Sequence, residues 1–169
     1  MTRSQLLFKA IDVIMYKPQN AVEFPEVTCV TDIPYSANGG ALTCGDVYYC
    51  ENKLPASGKY PVLFNVHGGG FIKGDKSFRR TFCSYFANNG FFVFNVNHRM
   101  PPDVKYPDFM FDCVDALNYL PQLEHEYPID LEKIVVTGDS SGGYMATMLA
   151  AVKFSEELRA GLGAPRNRC

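Results

Sequence analysis

The sequence predicts an α/β fold, an N-terminal antiparallel hairpin followed by three parallel strands with crossover helices. Three patterns point to it. Residues 60–66, 90–96 and 134–137 are short, almost unbroken apolar runs, as expected of strands buried on both faces of a parallel sheet. Stretches with apolar residues at helical spacing lie between and after them. Ahead of them, Val27 to Ile33 and Leu42 to Cys50 flank Asn38-Gly39-Gly40, a turn signal that predicts a hairpin. Strand alternating with helix then gives a sheet with right-handed crossovers.

The elements follow in order. Leu6, Leu7, Ala10, Ile11, Val13 and Ile14 have helical spacing, and Pro18 is expected to end that helix. Its polar face is not basic, so residues 1–25 read as a lid or docking segment rather than a membrane-surface helix. Phe78, Phe82, Tyr85 and Phe86 form a second apolar face. Phe109, Cys113, Ala116, Leu117 and Leu120 form a third. Met145, Met148, Leu149 and Val152 form a fourth, on a helix running to about Leu158. Residues 26–160 thus form the α/β domain, and 161–169 read as a disordered tail.

Composition bounds the function. A chain of 169 residues with 47% hydrophobic residues supports one domain with a real core. A net charge of −2 and only a weakly basic tail (Arg159, Arg166, Arg168) argue against a general affinity for nucleic acid or anionic membrane. Lys9 and Asp12 interrupt the apolar stretch from Leu6 to Met15, so it is not a secretory signal. No run reaches the roughly 18 apolar residues of a membrane span. The six cysteines form no C-x-x-C pair and no zinc spacing. A cytoplasmic protein with free thiols, no metal and no cofactor is expected.

The chemistry centres on residues 137–145, TGDSSGGYM. A nucleophile on a strand-to-helix turn needs small neighbours two before and two after, because the chain folds back there. Gly138 and Gly142 flank Ser140 in that way, whereas Ser141 would have the bulkier Asp139. Ser140 is therefore the candidate nucleophile. Ser141 opens the helix, and its backbone N–H would face a developing oxyanion. The alternative is that one serine only caps the helix. A second motif, NVHGGGFIKGD at 65–75, follows the first parallel strand. Its glycines allow backbone N–H groups to approach a ligand closely. Those of Gly69 and Gly70, with that of Ser141, would make a three-donor oxyanion hole. A phosphate loop is the weaker reading, because neither Walker spacing nor G-x-G-x-x-G is present.

These pieces resemble the hormone-sensitive-lipase-like group of α/β hydrolases, which includes arylacetamide deacetylases and plant carboxylesterases. The resemblance rests on His67-Gly68-Gly69-Gly70-Phe71, Asn97-His98-Arg99-Met100-Pro101-Pro102-Asp103, Asp112-Cys113-Val114-Asp115-Ala116 and Gly138-Asp139-Ser140-Ser141-Gly142-Gly143, in family order over about residues 60–155. It implies hydrolysis of small hydrophobic carboxylic esters through an acyl-serine intermediate. His67, Gly68, Gly138, Asp139 and Gly142 then support the loops. The chain departs from the family in reading His-Arg-Met-Pro-Pro-Asp at 98–103, where Tyr-Arg-Leu-Ala-Pro-Glu is usual. That segment reads as structural. Ser141 stands where alanine is common.

In the family the triad acid and histidine lie on strands beyond the elbow helix. No histidine follows Gly143 here, so the resemblance implies an N-terminal portion of a fold about twice this length, missing the C-terminal strands. The three histidines are poor substitutes. His67 belongs to the glycine loop. His98 ends a strand expected two places from the elbow strand, roughly 9–10 Å away at ~4.8 Å per strand. His125 falls at a helix end. Glu156 and Glu157 lie roughly 22–26 Å along the last helix at ~1.5 Å per residue. The elbow strand would also be left as a sheet edge, a dimerisation hazard. The alternative functions are a non-catalytic small-ligand-binding protein on the same fold, or an interaction partner working through that edge.

Overall fold

The computed structural model describes residues 2–37 and 40–165. The Asn38-Gly39 pair of the expected turn and residues 166–169 of the expected tail lie outside them. The elements are α1 (Arg3–Gln19), β1 (Thr28–Pro34), β2 (Cys44–Tyr49), β3 (Tyr60–Val66), α2 (Arg80–Ala87), β4 (Phe92–Val96), α3 (Asp108–Asn118), α4 (Leu120–Glu124), β5 (Ile129–Gly138), α5 (Ser141–Phe154) and α6 (Glu156–Leu162).

The strands form one sheet in the order β1-β2-β4-β3-β5. The β1–β2 and β2–β4 pairs are antiparallel; β4–β3 and β3–β5 are parallel. This is the expected hairpin plus three parallel strands. Crossovers return each parallel strand to the same direction, so β3, β4 and β5 end together and deliver their loops to one rim of the sheet. Helices cover both faces. On one side Cys83 and Ala87 of α2 pack with Tyr48, Leu63 and Val93. On the other, α3 and α5 enclose the larger core around Phe64, Phe94, Met110, Leu117 and Met145.

Several boundaries differ from the sequence reading. The first helix runs one residue past Pro18. A proline this close to the C-terminus forfeits its own N–H bond without opening the turns ahead of it. On α2 the buried face is Cys83 and Ala87, while Phe82 and Tyr85 are exposed. Small side chains let the helix lie close on the sheet, and the rings are displaced to its flank, where Tyr85 meets Phe24. The last helix is two. Ser155 takes an extended conformation, ends α5, and caps α6 by accepting from the Leu158 N–H. Residues 161 and 162 of the expected tail belong to α6. The run 134–137 is part of a ten-residue strand that is only half covered, because among the described residues β5 pairs with β3 alone. Val135 is 49% exposed there.

Gly45, in β2, packs directly on the Phe94 ring across the sheet. A Cβ at this position would lie 2.3 Å from Phe94 Cε2. The ring is fully buried and has little room to yield. Gly45→Ala is therefore expected to destabilise the fold by about 1–3 kcal/mol. Urea denaturation followed by circular dichroism measures this, and an unchanged midpoint would show that the strand accommodates the methyl group.

Candidate active site

The site lies where β3 and β5 stop. They end in register, with Val66 opposite Gly138. The chain after Val66 forms the glycine loop, and the chain after Gly138 turns sharply into α5. Ser140 sits on that turn at φ 51°, ψ −119°, a left-handed conformation that a side chain tolerates only when the surroundings impose it. The crossing of backbones imposes it here. A Cβ on Gly142 would lie 2.2 Å from the Val66 carbonyl oxygen, so the first turn of α5 presses against the end of β3. Gly138 faces Gly142 across the bend. Ser140 is exposed and its side chain makes no helix-cap hydrogen bond. The capping alternative is thereby overturned for Ser140. Ser141 is buried at the first position of α5.

The glycine loop is shaped as tightly. Gly69 has φ 146°, and a Cβ there would overlap the Lys73 carbonyl oxygen at 1.5 Å. Only glycine fits. The Ile72 and Lys73 N–H groups both donate to the Gly69 carbonyl, closing a turn. Gly70 lies beneath the Phe8 ring of α1. The Gly68 N–H donates to Asp139 Oδ1 at 3.0 Å. Loop and elbow are thus tied directly. A cavity of about 200 Å³ opens beside Ser140, walled by Phe8, Ile11 and Met15 of α1, by His67 and Gly69, and by Arg79.

Asp139 also accepts from Arg79, through Nε at 2.7 Å and through a short Nη2 contact. Burial alone would raise the Asp139 carboxyl; the Arg79 bonds and charge outweigh it and hold it below the ordinary carboxylate range. The loop beyond Gly70 is anchored by buried polar groups. Asn97 Oδ1 accepts from the Lys76 N–H, and Asn97 Nδ2 donates to Asp75. Asn95 donates to the Lys76 carbonyl and accepts from Asn65. The Lys76 ammonium reaches Asp32 at 2.8 Å and pairs with buried Asp46. Arg79 and Lys76 did not emerge from the sequence reading, and Asn97 entered it only within the 97–103 motif. The signal for the polar anchor was Asn65 and Asn95 inside otherwise apolar runs.

The histidines take distinct places. His67 is buried, with Nδ1 on the Gly68 carbonyl oxygen at 2.8 Å and Nε2 without a partner. His98 stacks on it at 4.6 Å, with Nδ1 on the Arg99 carbonyl oxygen. His125 is exposed at the end of α4. Glu156 and Glu157 are exposed on α6. Within the 98–103 segment, Arg99 holds buried Asp112 of α3 through a two-pronged ion pair.

The chain is similar to known esterases and hydrolases in sequence and fold. The BD-FAE family profile matches residues 46–167. Ethyl acetate hydrolase of Pseudomonas putida is 30% identical over 126 residues, 74% of this chain and 39% of that protein. Versiconal hemiacetal acetate esterase of Dothistroma septosporum is 33% identical over 135 residues, 76% of this chain and 41% of that protein. Among solved structures, esterase B from Lactobacillus Rhamnosis superposes with a TM-score of 0.86 at 27% identity, covering 97% of this chain and 52% of that one. The chain thus spans about two fifths of the length of these curated relatives and about half of that structure. Its sheet is the corresponding part of an α/β-hydrolase fold.

Burial carries a consequence for acid stability. It pushes His67 down to about 4, and the neighbouring His98 adds to the effect. His98 shifts in the same direction. Between pH 6.5 and about 4 the unfolded imidazole binds a proton that the folded one refuses. Stability therefore falls as pH drops through that window, by up to about 3 kcal/mol from His67. His67→Gln is expected to flatten this slope in a pH series of urea melts; a slope unchanged by the substitution would contradict it.

Proposed function

The chain belongs to the BD-FAE family, and on that premise we propose that it is the N-terminal part of a serine carboxylesterase. Ser140 is the nucleophile. The backbone N–H groups of Gly69, Gly70 and Ser141 stabilise the tetrahedral oxyanion, assisted by the N-terminal end of the α5 dipole. The substrate is a small hydrophobic ester that enters the cavity beside Ser140. The observation that carries this reading is the crossing of the glycine loop and the elbow. Gly68 donates to Asp139, so its N–H is engaged, while the strained Ser140 lines the cavity.

Chemistry would begin with attack of Ser140 Oγ on the ester carbonyl carbon. The C–O π pair moves onto the carbonyl oxygen, and the hydroxyl proton passes to a base. The alcohol leaves with a proton, and water then releases the acid from the acyl-serine. Among the described residues no histidine is arranged as that base. His67 is buried and turned to its own loop, His98 stacks behind it, and His125 lies at the end of α4. The base and its orienting acid therefore come from polypeptide outside these residues. With the nucleophile and oxyanion donors alone, acceleration over water is limited to roughly 10³–10⁴-fold. A non-catalytic ligand-binding role is the alternative, and it leaves the strained Ser140 without a purpose.

The test compares two proteins. The 169-residue chain is expected to hydrolyse p-nitrophenyl acetate feebly and to react slowly with a fluorophosphonate probe. A chain extended with the C-terminal half of a related esterase is expected to turn over the ester rapidly and to be labelled at Ser140. Ser140→Ala in the extended chain should lower kcat by at least about 10⁴-fold. Full activity in that variant would remove Ser140 from the mechanism.

We further propose that the β5 edge pairs with a second strand. Val135 is exposed along it, and Phe154 of α5 beside it is 84% exposed. Such an edge presents unpaired backbone groups as a template. Sedimentation velocity of the 169-residue chain should show dimers or larger species that Val135→Lys shifts toward monomer. A wild-type chain that stays monomeric at high concentration would count against it.

A further inference from the structure

We infer that Arg79 is a positioning residue that fastens the N-terminal helix to the crossing of glycine loop and elbow. Its three guanidinium nitrogens are divided between two distant elements. Nε and Nη2 grip the Asp139 carboxylate, while Nη1 donates to Gln19 Oε1 on α1 at 2.8 Å and to the Phe78 carbonyl oxygen at 3.2 Å. Asp139 in turn holds the Gly68 N–H. One side chain thereby links residues 19, 68 and 139.

The helix needs such a link. None of its residues is buried, and its apolar side chains Leu6, Leu7, Ile11, Val13 and Ile14 are largely exposed. Much of its hold on the body is concentrated at its C-terminal end. There Tyr16 packs on Phe78 at 5.5 Å, Asn20 Nδ2 donates to the Ser77 carbonyl oxygen, and Asn20 Oδ1 accepts from the Thr81 N–H. The inner face of the helix lies over the site along its length: Phe8 touches Gly70, and Ile11, Met15 and Gln19 wall the Ser140 cavity. The helix therefore covers the site while its polar ties to the body lie at its C-terminal end. Arg79 makes the seated position of that cover and the geometry of Gly68 and Asp139 both depend on one guanidinium, through separate nitrogens. Lysine cannot replace it, because a single ammonium cannot grip a carboxylate with a fork and also reach Gln19.

Amide hydrogen exchange of the 169-residue chain tests this without requiring ester turnover, so an unreactive Ser140 would leave the result intact. Arg79→Ala is expected to speed exchange about tenfold or more both in residues 3–19 and at the Gly68 amide, with residues 92–96 unchanged. Gln19→Ala should release residues 3–19 and leave Gly68 protected. Arg79→Lys should restore protection at Gly68, through one bond to Asp139, while the helix stays released. Unchanged exchange at Gly68 in Arg79→Ala overturns the assignment. So does an effect that spreads equally to residues 92–96, failure of Arg79→Lys to restore Gly68, or Gln19→Ala releasing Gly68 with the helix.

Discussion

The structure depends on the close passage of two backbone segments at the ends of neighbouring parallel strands. Because β3 and β5 finish in register at Val66 and Gly138, the glycine loop and the elbow turn must leave the sheet at the same place. The space between them is smaller than a methyl group at Gly142. That single constraint explains why glycines flank the serine, why Ser140 adopts a left-handed backbone, and why the Gly68 amide finds Asp139. Strain at Ser140 is held by this packing and not by any bond of its own side chain.

A strained turn is useful only if the loop facing it is fixed. Here a polar layer at the strand ends does the fixing. Asn65, Asn95 and Asn97 are buried near the rim, where apolar residues would have packed more simply. Asn65 donates to Asn95, Asn95 and Asn97 bond the Lys76 backbone, and Asn97 donates to the Asp75 carboxylate. Buried amides satisfied in this way specify one arrangement, because any shift leaves a polar group unpaired. The Lys76 ammonium extends the layer to Asp46 and Asp32 on the hairpin. Burial works to lower its pKa, and the two carboxylates more than offset that. The hairpin strands, remote from Ser140 in the sheet, therefore help to hold the loop in place.

The same topology places the Ser140 turn at one side of the sheet. β5 carries the Ser140 turn and is an outer strand of the sheet, pairing among the described residues with β3 alone. The esterase that superposes on nearly all of this chain extends for about as much polypeptide again. The elements seen here hold Gly68, Asp139 and Ser140 together where two parallel strands end.

The sequence by itself determined the fold class, the elbow and the glycine loop. Each is encoded locally, in apolar runs of strand length, in Gly138 and Gly142 around Ser140, and in three consecutive glycines after a strand. The third apolar face was legible for the same reason: Phe109, Cys113, Ala116 and Leu117 of α3 and Leu120 of α4 are all buried. Other features were decided only by tertiary structure. Which side of α2 is buried followed from how closely the helix can approach the sheet, so Cys83 and Ala87 displaced the larger rings. The break at Ser155 was hidden because a serine within a helical pattern has no fixed conformation until its neighbours pack. Arg79 gave no signal at all: its partners lie 60 residues away on either side, and only the closing of the sheet brings them within reach of one guanidinium.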